Sequence, residues 1–204
     1  PPDALSDEQR ATHRDLAGRT WRFFDCNVPD NGLPPDNVQL DPPTGAARRT
    51  SPTNVGLYLL SCLAARELAL IDDGEMRSRI AASVQSLERM EKWRGHLYNW
   101  YDIDRMAPLE PRYVSSVDGG NLAACLLTCA SAIEDDRALA DRMEALAREM
   151  DFTALYDENR KLFAIGMDVG NNRLSASHYD LMASESRILS YVALMLRQVP
   201  VEHW

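Results

Sequence analysis

The chain has 204 residues, 45% of them apolar and 26% charged, with a formal net charge of -9. That balance is ordinary for a folded domain and excludes a disordered or low-complexity chain. An acidic chain with no basic block lacks the footprint for nucleic-acid phosphates, and no apolar run reaches the ~18 residues of a membrane span. The length suits one domain over residues 1–204. The chain opens Pro1-Pro2, without Met or a signal-peptide pattern, which suggests a piece of something larger.

Six helices are predicted in chain order. Ser6-Asp7-Glu8-Gln9 is a capping-box pattern that opens the first, carried to about Phe24. Thr50-Ser51-Pro52 reads as an N-cap followed by Pro at N1, and the second helix runs from there to about Leu70. The third follows Asp72-Asp73-Gly74 and ends near Trp93-Arg94-Gly95. The fourth spans about Val117 to Ile133, the fifth about Asp136 to Met150, and the sixth starts near Ser177-His178-Tyr179 and ends before Pro200. Between the fifth and sixth, Lys161 to Met167 and Arg173 to Ala176 flank Gly170-Asn171-Asn172, which reads as a β-hairpin with an irregular loop as the alternative. The proline-bearing stretch from Asn27 to Arg49 reads as a long loop, and such loops are more often functional than idle.

The helices alternate in character. The third places Met76, Ile80, Val84 and Leu87 on one face, and the fifth does the same with Leu139, Met143, Leu146 and Met150. The second, fourth and sixth are apolar nearly all round, as in Val55 to Leu60, Leu122 to Ala130 and Ile188 to Leu196, so each is expected to be buried on every side. Outer and inner helices in turn, with inner starts spaced by roughly sixty residues, indicate stacked two-helix units. The fold class is therefore all-α: about half of an (α/α)6 toroid, three outer/inner pairs with a small β-hairpin. Three pairs leave the inner layer open, so the inner helices are expected to expose apolar faces to missing neighbours.

Each inner helix opens with a polar cluster: Arg49 to Asn54, Ser115 to Asn121, and Ser177 to Asp180. Parallel inner helices would gather these on one rim, together with Asp36-Asn37 and Asn99-Trp100-Tyr101-Asp102. Helix capping accounts for Ser51 and Ser116 but not for Asn54, Asn121, Asp102 or the aromatic pair. Amides and carboxylates beside aromatic faces suit a ligand rich in hydroxyls, namely a sugar. Asp118 and Asp180, at helix starts, would be held ionised by the helix dipole and suit hydrogen bonds to sugar hydroxyls. Glu185 stands apart, a carboxylate about two turns into the sixth helix among Leu181, Met182, Ile188 and Leu189. In a lumen it suits a general acid; the alternative is a salt bridge to Arg187 or to a neighbouring helix. Cys125 and Cys129 share a helix face, but without His or carboxylate partners they read, like Cys62, as free core thiols in a reducing compartment, and no metal or cofactor is expected.

The motifs Thr20-Trp21-Arg22-Phe23-Phe24, Leu33 to Asn37, Arg49 to Leu60, Gly95 to Asp102, Pro111 to Asp118, Tyr179 to Arg187 and Val199 to Trp204 resemble the glucoamylase-like central domain of cyclic β-1,2-glucan synthases. The resemblance runs from about Thr20 to the end. It implies an (α/α)6 toroid related to β-1,2-glucanases, which cyclises linear β-1,2-glucan by transglycosylation within a large synthase at the cytoplasmic face of the bacterial inner membrane. It implies sugar contacts at Arg49, Asn54, Asn99, Asp102, Asp118 and Asn121, besides Trp100, Tyr101, Tyr179 and Asp180 of the polar clusters. It also implies a catalytic carboxylate at Glu185, with the second of the pair beyond Trp204. The partners implied are β-1,2-glucan, the remaining half of the toroid and other domains of the parent synthase, with the membrane reached only through the parent. Gly32 stands where the family often has Trp, Ser186 where Ala is commoner and Gly119 where Ser is commoner. An endo-β-1,2-glucanase fragment and a non-catalytic glucan-binding scaffold are the alternatives.

Overall fold

The computed structural model describes residues 5–133, 135–182 and 186–204. Helix α1 is Asp7–Asn27, α2 Pro52–Glu67, α3 Asp73–Arg89, α4 Ser116–Ala132, α5 Arg137–Glu149 and α6 Ser186–Met195. Local chemistry sets most of these ends. Ser6 and Gln9 form the reciprocal capping box of α1, Ser51 caps α2 with Pro52 behind it, and Asp72 and Asp136 cap α3 and α5. At α4 the cap is Ser115 rather than Ser116. Ser115 accepts from Asp118 N, while the buried Ser116 hydroxyl donates to Ala164 O at 2.7 Å.

The helices form two layers. Helix α4 packs between α2 and α6 on one level and against α5 on the other, while α3 packs on both α2 and α5, and α1 leans on α2. All eight residues expected on the apolar faces of the third and fifth helices are buried. Burying side chains of this size contributes about 1.5–3 kcal/mol each. The outer helices are tied at the surface by Arg142 to Glu88 at 2.7 Å and by Arg77 to Asp135 at 2.8 Å. These exposed pairs are worth about 1 kcal/mol or less apiece.

Helices α2 and α6 are not buried on every side. Leu57, Ile188, Tyr191 and Met195 are each 48–63% exposed, and the last three recur at helical spacing along one face of α6. The expectation of all-round burial fails here, whereas the expectation of an open apolar face on the inner helices holds at α2 and α6. Helices α2 and α4 run in the same direction, Thr53 meeting Asp118 and Gly56 meeting Leu122 and Cys125 one turn further on. A β-carbon on Gly56 would lie 3.1 Å from Cys125 Sγ, and one on Gly120 would lie 2.6 Å from Leu189 Cα. Cys62, Cys125 and Cys129 fill this interior as buried free thiols, and burial pushes them up to about 12, 11 and 12.

Short strands occupy the connections. The stretch from 27 to 49 is not a plain loop but carries a hairpin, Val38–Leu40 with Pro43–Ala46. The expected hairpin near Gly170 forms as Gly166–Asp168 with Arg173–Leu174, and Tyr113–Ser115 adds a third strand. Leu162–Phe163 pairs instead with Tyr156–Asp157. This sheet work explains why the sixth helix does not begin at Ser177. The chain from Ser177 to Tyr179 is held extended, with Ile165 N donating to Ser177 O and Tyr179 N to Phe163 O, both at 3.0 Å. Backbone groups spent on a neighbouring strand cannot start a helix.

The three positions that depart from the family pattern are all inward-facing. Gly32, at φ +71°, packs so that a β-carbon would meet Ser83 N at 2.5 Å, making it a close backbone contact. Ser186 is buried and donates to Asp180 O at 3.1 Å. Gly119 makes room for His96, whose Nδ1 would lie 2.8 Å from a β-carbon there.

His96 is buried, edge-on to Phe152 at 4.9 Å between ring centres. Burial pulls its pKa from 6.5 down to about 4, and the nearby Asp151 offsets this only in part. Above pH 6.5 the ring is neutral in both folded and unfolded chains, so stability is at its full value. As pH falls towards 4 the unfolded chain takes up the proton first, and about 3 kcal/mol is lost if the whole shift is realised. Urea unfolding of His96→Leu against the parent sequence should therefore give stability profiles that diverge between pH 6.5 and 4 and run parallel outside that window. Parallel profiles throughout would show that His96 is not the titrating group.

Candidate functional site

The starts of α2 and α4 are joined side chain to side chain. Thr53 Oγ1, in the first turn of α2, donates to Asp118 Oδ1 at 2.6 Å and accepts from Asn121 Nδ2 at 3.2 Å. Asn99, with its amide turned to satisfy both contacts, donates to Asp118 Oδ2 at 3.2 Å and accepts from Trp100 Nε1 at 3.1 Å. The Arg49 guanidinium lies 4.5 Å from the centre of the Trp100 ring and donates to Asp36 Oδ2 at 2.9 Å. Asn54 Nδ2 completes the group by donating to Asp36 Oδ1 at 3.3 Å.

Six of the residues expected in the site therefore meet in one network: Arg49, Asn54, Asn99, Trp100, Asp118 and Asn121. The elements that carry them explain why. The strand Arg49–Thr50 pairs with Tyr101–Asp102, which brings Arg49 beside Trp100, and Asn99 N donates to Tyr113 O on the chain leading into α4. The half-buried Asp118 is not used to cap its own helix, because Ser115 does that; its carboxylate turns across to α2.

Tyr101 and Asp102 leave the group. Tyr101 alternates with Trp100 along the chain and points the other way. It is fully buried, accepting from Tyr98 N at 2.9 Å and donating to Glu91 O at 2.5 Å, so it is a core residue and no sugar platform. Asp102 Oδ1 accepts from Asp104 N at 2.9 Å and Arg105 N at 2.8 Å, so this oxygen organises its own turn. Tyr179 and Asp180 lie on the non-helical approach to α6, where Asp180 Oδ1 accepts from Met182 N at 2.8 Å; neither stands at a helix start. Glu185 lies outside the described residues.

Asp36 and Thr53, which the sequence puts in the polar clusters but not among the implied sugar contacts, also belong to the network. The readable signal was the excess of polar groups in the first turn of α2. Ser51 is enough to cap that helix, so Thr53 and Asn54 had no local work to do. In charge the cluster sets one ionic couple, Arg49 with Asp36, beside a second carboxylate that, among the described residues, receives only neutral donors. Such a surface offers acceptors and amide donors to a polyhydroxyl ligand.

Residues 15–151 match a family model described as a protein of unknown function, DUF3131. The chain belongs to the DUF3131 family. It is 47% identical over 129 residues to the cyclic beta-(1,2)-glucan synthase NdvB of Rhizobium meliloti (strain 1021), a match that takes in 62% of this chain and 5% of that protein. Its fold is shared with an endo-beta-1,2-glucanase from Chitinophaga pinensis solved with sophorotriose and glucose, at TM-score 0.77 and 16% identity over 97% of this chain and 49% of that one. The endo-beta-1,2-glucanase from Talaromyces funiculosus solved with sophorose gives 0.75 and 16%, over 98% of this chain and 50% of that one. The DUF3131 chain thus spans about half the length of these solved structures.

The DUF3131 site is separable from the fold that carries it. Tyr101→Phe, which strands the buried Tyr98 N–H and removes the partner of Glu91 O, should lower stability by about 1–3 kcal/mol in chemical denaturation. Arg49→Ala, which removes an exposed ion pair, should cost less than about 1 kcal/mol. The reverse order would mean that the network is structural.

Proposed function

We propose that this chain is the first half of an (α/α)6 toroid that acts on β-1,2-glucan, cyclising the linear polymer by transglycosylation as one part of a cyclic β-1,2-glucan synthase. The observation that carries the reading is the carboxylate-centred network at the joined starts of α2 and α4, in a chain 47% identical to such a synthase over 129 residues. In this reading Arg49, Asn54, Asn99, Asp118 and Asn121 hold glucan hydroxyls, and Trp100, braced by Arg49, offers its remaining surface to a sugar ring. The second half of the toroid covers Leu57, Ile188, Tyr191 and Met195. The parent protein sits at the cytoplasmic face of the inner membrane.

Chemically, a retaining transfer needs two carboxyl groups about 5 Å apart, one as nucleophile and one as acid/base. The family resemblance assigns one of these roles to Glu185 and puts the other carboxylate beyond Trp204. A sugar hydroxyl then attacks the anomeric carbon in place of water. The same carboxylate pair serves a hydrolase, and the shared fold with two solved endo-β-1,2-glucanases supports that second reading.

The test is to incubate the full-length gene product with linear β-1,2-glucan and weigh the products. Cyclic products support the synthase reading, shortened linear products the hydrolase, and binding without turnover a scaffold. Glu185→Gln should lower turnover by roughly 10²–10⁴ while glucan still binds; near-normal turnover would remove Glu185 from the mechanism. The 204 residues alone should show no turnover and should self-associate in light scattering through the open apolar face, as exposed patches of this kind do. An active monomer would overturn the half-toroid reading.

A further inference from the structure

We infer that Thr53 is a positioning residue for the Asp118 carboxylate, which it holds at the angle needed to accept a hydrogen bond from a glucan hydroxyl; the inference rests on the glucan-binding reading above. Thr53 has a single hydroxyl proton, and its role is fixed by what surrounds it. Because Asn121 Nδ2 donates to Oγ1 at 3.2 Å, that oxygen is already an acceptor there, and its proton is directed to Asp118 Oδ1 at 2.6 Å. A short hydrogen bond to a carboxylate is among the stronger ones and fixes direction as well as distance.

Every donor in this part of the network runs towards the same carboxylate. Trp100 Nε1 donates to Asn99, Asn99 donates to Asp118 Oδ2, Asn121 donates to Thr53, and Thr53 donates to Asp118 Oδ1. A carboxylate has about four acceptor positions, so among the described residues two of them remain after Thr53 and Asn99 are served. Among the described residues Asp118 receives no arginine or lysine; the cation of the cluster, Arg49, is paired with Asp36 instead. A negatively charged group held by neutral donors from two sides is thereby left to take hydroxyl protons from a ligand. Thr53 comes from α2 and Asn99 from the strand connection, so Asp118 is clamped by two elements other than its own.

The experiment uses Thr53→Val, which keeps the shape and removes the hydroxyl, and Thr53→Ser, which restores it, both in the full-length gene product. Calorimetric titration with a defined linear β-1,2-gluco-oligosaccharide, with a β-1,3-gluco-oligosaccharide as control, gives Kd; turnover gives KM and kcat. Thr53→Val should raise Kd and KM by about tenfold or more, the scale of one hydrogen bond to a charged group. It should leave kcat within about threefold, and Thr53→Ser should return Kd to within about twofold of the parent value. Thr53→Ala, which places no methyl against the carboxylate, guards against misfolding of the valine variant and should weaken binding in the same way. Unchanged affinity in the folded valine and alanine variants would overturn the assignment, as would failure of serine to rescue. A parent protein that binds no β-1,2-glucan would instead overturn the glucan reading itself, an outcome visible before any variant is made.

Discussion

The backbone of α4 approaches its neighbours more closely than β-carbons would allow, and the rest of the structure depends on that approach. Gly120 lies where any larger residue would strike the backbone of α6 at Leu189, and Gly56 of α2 lies so close to Cys125 and Leu122 of α4 that an added β-carbon would press on both. Helices usually pack 8–10 Å apart according to the side chains at the crossing, and glycine at the crossing brings them to the near end of that range. The small buried residues beside them, Ala123, Cys125 and Cys129, continue the same fit.

Close approach at these crossings is what lets short side chains meet at the helix starts. Threonine and aspartate together reach only a few ångströms, yet Thr53 and Asp118 touch at 2.6 Å. A wider spacing would leave Asp118 to water and dissolve the link to Asn121. The same crossing fixes Asn99, because the turn that carries it packs through His96 against Gly119. The network's geometry is therefore set from the core outward, and the paired strands at Arg49 and Asp102 add the cation and the indole at its edge. A polar cluster fixed in this way would meet a ligand without having to order itself first, which spares the entropy of fixing side chains on binding.

The parts legible in the sequence were those written locally. Capping residues define the starts of α1, α3 and α5, because a cap is a local bond, and apolar spacing gives the buried stripes of α3 and α5. The far ends were less legible: α1 runs on to Asn27, and α3 stops at Arg89, short of the expected Trp93, where Lys92–Trp93 pairs as a strand. The polar starts of α2 and α4 were legible for the same reason, being more polar than capping requires. What could not be read was non-local. Tyr101 and Trp100 are adjacent aromatic residues, and only the pairing of their strand with Arg49–Thr50 decides which one faces the core. The extended run at Ser177 to Tyr179 carries helix-start chemistry, but its hydrogen bonds go to Phe163 and Ile165, partners more than ten residues away. Thr53 looked like an ordinary first-turn residue until α4 was set beside it.

The most direct test of the central claim is a crystal structure of the full-length gene product with a β-1,2-gluco-oligosaccharide bound. The account predicts a glucosyl unit at the joined starts of α2 and α4, with one of its hydroxyls within hydrogen-bond distance of the free positions of Asp118 and another near Asn121 or Arg49. Saccharide bound elsewhere, for example in the apolar hollow of about 210 Å³ that Trp21, Phe24, Ala65 and Leu68 line between α1 and the far end of α2, would contradict it. So would an Asp118 carboxylate that makes only its bonds to Thr53 and Asn99 while the sugar is bound.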